Sequence, residues 1–127
     1  MSDADATIKT VEAVLSAYRS GQRSFVNTNL PEADLSGVDL KGADLSYADL
    51  SGANLSQANL RGSDVSYATL SGANFSDADL RGAMLIGADL REATIENASF
   101  QDADYDPDNT LFPAGFDPKH AGMKPDR

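Results

Sequence analysis

Residues 43–62 read Ala-Asp-Leu-Ser-Tyr-Ala-Asp-Leu-Ser-Gly-Ala-Asn-Leu-Ser-Gln-Ala-Asn-Leu-Arg-Gly, a five-residue phrase said four times. Outward from there a large apolar residue stands at every fifth position: Phe25, Leu30, Leu35, Leu40, Leu45, Leu50, Leu55, Leu60, Val65, Leu70, Phe75, Leu80, Leu85, Leu90, Ile95, Phe100 and Tyr105. Alanine stands two residues before most of them, from Ala33 to Ala103, with Asp or Asn usually between.

A period of five fits neither regular element. An α-helix advances about 100° per residue, so these side chains would scatter around it. A continuous strand alternates faces, so an odd spacing would flip each Leu to the opposite side. A strand that turns does bury the pattern. Ala and Leu point inward from a short extended step, Asp or Asn points out, and the next two residues turn the corner, where permissive residues suit the backbone.

Longer echoes give the number of sides. Tyr47 and Tyr67 are 20 apart, as are Lys41, Arg61 and Arg81, and Ser36, Ser56 and Ser76. Four sides per turn follow, and residues 23–107 then make about four coils stacked at the sheet spacing of about 4.8 Å. The expected fold is an all-β solenoid.

These residues resemble the pentapeptide-repeat family over about two-thirds of the chain. The resemblance implies a right-handed quadrilateral β-helix. Departures are few: Ser63 stands for the small Ala, Val65 and the aromatics for Leu, and Thr69, Met84, Thr94 and Ser99 for the outward Asp or Asn. More softly, both flanks (Tyr18…Gly21…Arg23…Phe25 and Thr110…Phe112-Pro113…Gly115-Phe116-Asp117-Pro118) resemble those of cyanobacterial members.

The flanks read as closures. Ile8, Val11, Leu15 and Tyr18 fall at helical spacing within residues 4–20, with Asp3 and Asp5 at the start and Arg19 and Gly21 at the end. Residues 1–22 are therefore expected to be a capping helix, because an open stack exposes apolar ends. A partner-binding helix is the alternative. After Pro107 the rhythm stops, and residues 108–127 are expected to be a C-terminal cap and tail. Leu111, Phe112 and Phe116 would fold over the last coil, and Lys119–Arg127 would fray. End-to-end homodimerisation, which the resemblance implies for some members, is the alternative to a simple cap.

Among 127 residues the formal net charge is −10, with no cysteine. Such a chain repels phosphate backbones, so direct nucleic-acid binding is not expected. No disulfide or cysteine-based metal site can form. No segment reads as a leader or a membrane span, and a cytoplasmic location is expected.

Stacking by 20 assigns the outer faces. One carries Asp39, Lys41, Asn59, Arg61, Asp79 and Arg81, where Lys41–Asp39 and Arg81–Asp79 are expected ion pairs. The adjoining face presents Asp44, Ser46, Tyr47, Asp64, Ser66, Tyr67, Met84, Ile86, Asp104 and Asp106 as outward residues. Exposed Tyr and Met mark interfaces, so Asp44, Tyr47, Asp64, Tyr67, Met84 and Ile86 are the candidate partner-binding residues. Tyrosines that merely shield a corner are the competing reading. Asn54 over Asn74, and the Ser36, Ser56 and Ser76 column, are expected to share hydrogen bonds along the axis. Asp44 over Asp64 is a like-charge column lacking the six to eight oxygens that calcium prefers.

No catalytic constellation emerges. His120 is the sole histidine, and flat walls around a filled core offer no cleft for paired carboxylates. Neither cofactor nor metal is expected. The reading is a non-enzymatic scaffold for an unidentified protein partner. The alternative, implied by the resemblance, is a DNA mimic acting on a gyrase-type topoisomerase; the repeat region has 14 acidic against five basic residues.

Overall fold

The computed structural model describes residues 10–127. Asp3, Asp5 and Ile8 lie outside the described residues. The repeat region winds as a four-sided coil whose sides pair in parallel with the residue 20 places on. The first side stacks Ser24, Asp44, Asp64, Met84 and Asp104; the second Asn29, Asp49, Thr69 and Asp89. The third stacks Asp34, Asn54, Asn74 and Thr94; the fourth Asp39, Asn59, Asp79 and Ser99.

Each step makes the same few bonds. Leu45 N–H donates to Asp64 C=O (2.7 Å), Asp64 N–H to Ala43 C=O (2.9 Å), and Tyr47 N–H to Ser66 C=O (3.0 Å). Ala48 N–H closes the corner onto Leu45 C=O (3.1 Å). The third residue of each corner has a left-handed φ, as a type II turn requires.

The outward Asp or Asn shapes that corner. Asp44 Oδ1 accepts from the backbone N–H of Ser46 (3.0 Å) and from its hydroxyl (2.7 Å). Asn54 does the same with Ser56, and Asn74 with Ser76, at 2.7 Å to the hydroxyl. These Asx turns hold the chain at the bend. The expected sharing of side-chain bonds along the axis is thereby corrected: in these columns the hydroxyls bond within their own coil, where the Asx oxygen is two residues away.

Leu, Phe and Ala fill the interior from Phe25 to Tyr105, with Phe75 wholly buried. Hydroxyls in the small-residue row are satisfied locally. Ser63 donates to Leu60 C=O (2.7 Å) and Thr28 to Phe25 C=O (2.6 Å).

Helix α1 (Val11–Arg19) lies against the first coil, N-capped by Thr10, whose side chain accepts from Ala13 N–H. Val14 is buried, with Val11, Leu15 and Tyr18 packed on the core. Tyr18 Oη donates to Lys41 C=O at 2.6 Å. One coil further on, the equivalent carbonyl of Arg61 takes the N–H of Gly42. The tyrosine thus satisfies a carbonyl that has no coil above it. Arg23 lies over the Tyr18 ring, 3.7 Å from its centroid.

At the other end the chain returns to the ladder. Leu111 pairs with Asp89, and strand β2 (Lys124–Pro125) pairs in parallel with strand β1 (Asp104–Tyr105). Phe112 and Phe116 pack on Tyr105 and Phe100, with centroids 5.7 and 5.3 Å apart. The expected fraying of Lys119–Arg127 is corrected. Met123 is buried at the inward position one coil after Ala103, and Arg127 pairs with Asp106 (2.8 Å) and Asp108 (2.7 Å).

Replacing Met123 with Ala is therefore expected to destabilise the chain by about 2 kcal/mol. Urea unfolding would show it as a lower midpoint at constant slope; a frayed residue would give no shift.

Candidate functional site

The corner between the first and second sides carries Tyr47 and Tyr67, at φ 62° and 61°. A bulky residue adopts this left-handed region at a cost. The other described non-glycine residues with positive φ are Asn, Asp, Glu or Gln. The tyrosines are 58% and 52% exposed. Their rings stack at 5.1 Å with planes 17° apart, a geometry that returns part of that cost.

Beneath Tyr67 sits Gly87, φ +70°, and a Cβ there would lie 2.6 Å from the Tyr67 ring. Corner side chains thus lean toward the following coil; Glu32 leans over Gly52 in the same way. The stack therefore covers its own corner, as the shielding reading expects, while leaving more than half of each tyrosine open to solvent.

The surrounding residues gather as the lag of 20 dictates. Asp44 and Asp64 are adjacent rungs of the first side, both half-buried, with Met84 as the next rung, 42% exposed. Ser46, Ser66 and Ile86 form the neighbouring column. Ser66 N–H donates to Asp64 Oδ1 (2.9 Å), but its buried hydroxyl has no partner. Ile86 is only half-buried. All six sequence candidates therefore share one surface.

Four outward assignments change. Ser46 and Ser66 are buried rather than outward. Val26, 39% exposed, begins the column of Ser46 and was missed, although the lag of 20 points to it. Asp106 is buried rather than outward. Its carboxylate accepts from Asn109 Nδ2 (2.7 Å), Asp108 N–H (2.9 Å) and Arg127, which together hold its pKa below the usual value.

On the fourth side Arg81 grips Asp79 with both ends of its guanidinium, at 2.9 and 2.7 Å. The expected Lys41–Asp39 ion pair does not form. Asp39 instead accepts the backbone N–H of Lys41 at 3.1 Å. A planar fork reaches both carboxylate oxygens two residues back, whereas a point ammonium on a flexible stem gains little there. The Arg91–Asp89 pair, with the same forked geometry, was not anticipated. These arginines, chiefly by hydrogen bonding, hold Asp79 and Asp89 below the ordinary 3.8.

Among the described residues no group of three or more His, Cys, Asp or Glu could hold a metal. Among them, too, no helix is long and apolar enough to cross a membrane. His120 is exposed near the C-terminal turn, away from the tyrosine corner.

The model of a known family, described as pentapeptide repeats, matches in eight copies over residues 24–57, 39–77 and 73–104. The chain belongs to the pentapeptide-repeat family. Its fold is accordingly the right-handed quadrilateral β-helix of pentapeptide-repeat proteins. The chain is similar to the crystal structure of a pentapeptide repeat protein from Nostoc Pcc 7120, with 50% identity and a TM-score of 0.91, covering 94% of this chain and 98% of that one. A pentapeptide repeat protein from the Arabidopsis thaliana thylakoid lumen is 34% identical at a TM-score of 0.50, over 66% of this chain and 55% of that one. A cyanobacterial member from Cyanothece 51142 is 32% identical at a TM-score of 0.49, over 70% and 63% of the two chains. No curated protein matches the chain.

Replacing Gly87 with Ala is expected to cost about 1–3 kcal/mol, from left-handed strain plus displacement of Tyr67. Gly72→Ala has the same φ of +70° but open space, so only the strain of about 1 kcal/mol should appear. Thermal unfolding of the two variants separates these contributions; equal losses would mean that Tyr67 simply moves aside.

Asp79 and Asp89 have folded pKa values below their unfolded ones, so their contribution is complete above the ordinary carboxylate range and is lost as pH falls through the folded values. Melting temperature is expected to drop below about pH 4. Arg81→Ala with Arg91→Ala should flatten that drop, as a pH series of melts would show.

Proposed function

We propose that this chain is a non-enzymatic scaffold of about four coils, capped by α1 and by the C-terminal segment, that binds a protein partner through the Tyr47–Tyr67 corner. One observation carries the reading. Two tyrosines hold a backbone region that disfavours bulky residues, and more than half of each stays in solvent. Strained, exposed aromatics beside Met84 and Ile86 are what a protein interface uses. The flat, filled coil favours surface recognition over chemistry in a cleft.

A second reading draws on the net charge of −10: mimicry of duplex DNA toward a gyrase-type topoisomerase. The arginine forks on Asp79 and Asp89 weaken it, because they neutralise carboxylates that mimicry would leave bare. A supercoiling assay with purified gyrase should show no inhibition at micromolar protein; inhibition would favour the mimic over the scaffold.

Asn27 and Asn97 occupy equivalent corner positions at φ 66° and 61°, so Tyr47→Asn with Tyr67→Asn should keep the coil. The double variant is expected to lose only the stacking contribution of about 0.5–1.5 kcal/mol while losing partner capture from native cell lysate. Unchanged capture would end the scaffold reading at this corner.

A further inference from the structure

We propose that the partner segment received at this corner bears arginine next to apolar side chains, an inference that rests on the scaffold reading above. Asp44 and Asp64 are adjacent rungs of one ladder, which sets them about 4.8 Å apart. Oδ1 of each is engaged by the following serine. Oδ2 of each makes no hydrogen bond or ion pair among the described residues. Asp49, on the other flank of the tyrosine ridge, is in the same state, with only its Oδ1 used by Ser51.

The ion pairs of the described residues all lie elsewhere. They join Arg81 to Asp79, Arg91 to Asp89, Lys124 to Asp102, and Arg127 to Asp106, Asp108 and Asp126. An apolar ridge is thus bordered on both sides by carboxylates that no cation among the described residues neutralises. Stacked like charges repel, and a cation from outside relieves that repulsion.

The geometry favours a guanidinium. A metal ion would need more oxygens than this pair supplies, and no suitable cluster exists among the described residues. A planar fork can address two carboxylates and stack on an aromatic ring, as a compact ammonium cannot. Met84, directly below Asp64 on the same side, and Ile86 on the adjoining column offer the contact for a neighbouring apolar side chain. Lys41 and Arg61, at the opposite corner of the first side, keep the incoming cation on the tyrosine side.

The test uses the full chain and a short fluorescent peptide in which arginine alternates with leucine, followed by anisotropy at low salt. Asp44→Asn with Asp64→Asn should weaken binding by roughly tenfold or more, and so should Tyr47→Asn with Tyr67→Asn. Asp34→Asn with Asp39→Asn, on the third and fourth sides, should change it by no more than about twofold. Asn already fills the outward position at Asn54 and Asn74, so the first variant should fold, and its melt checks that. Replacing arginine by lysine in the peptide should weaken binding, and replacing it by glutamate should abolish it. Equal losses from the two Asp→Asn variants would assign binding to net charge and overturn the proposal. Failure of the arginine peptide to bind, while the tyrosine variant still abolishes partner capture, would overturn the arginine chemistry and leave the scaffold reading standing. Loss of neither peptide binding nor capture in the tyrosine variant would remove both.

Discussion

The ladder that joins each residue to the one 20 places later is the constraint on which the rest depends. It is a backbone interaction, so it is indifferent to side-chain identity at each rung and exacting about chain length between rungs. An insertion in one side would throw all later residues out of register. The chain therefore meets this demand with a five-residue phrase whose corner is reinforced twice, by the Leu45–Ala48 type of turn bond and by the Asx oxygen of the outward residue. Burial of Ala and Leu then selects which way the extended step faces.

A ladder has ends, and each is met by different chemistry. At the start, Tyr18 donates its hydroxyl to a carbonyl that lacks a coil above it, while Val14 closes the apolar column. At the finish the chain changes course after Pro107. Thr110 takes the N–H of Gly87 and of Asp106 and donates to Leu85 C=O, standing in for backbone that has turned away. Phe112 and Phe116 pack against each other, ring centroids 4.9 Å apart, and β2 restores the ladder on the first side. On the first and second sides the ladder continues past the repeats, whereas on the third and fourth it ends at Thr94 and Ser99.

The same register that builds the coil also builds its surface. Columns of identical chemistry arise because a side chain repeats its neighbour's environment one coil on. Carboxylate columns come from the outward row, and the tyrosine stack comes from two corners in line. The candidate site is thus a by-product of periodicity made distinctive by departures from it. Met84 replaces an acid, Ile86 a serine, and tyrosine occupies positions that elsewhere are held by glycine or a polar residue.

From the residues alone, the five-residue period settled the turning strand, and the lag of 20 settled four sides and the grouping of Asp44, Tyr47, Asp64, Tyr67, Met84 and Ile86. Both are one-dimensional facts, because every coil repeats the same backbone path. Where periodicity ended, so did legibility. Met123 and Lys124 return to register after an irregular excursion, and Arg127 reaches back to Asp106; neither is visible without the path between. Partner choice within the columns was also hidden. Whether a hydroxyl bonds along the axis or to its own coil, and whether lysine or arginine closes on an aspartate, depends on angles and reach of a few ångströms that spacing along a chain does not encode.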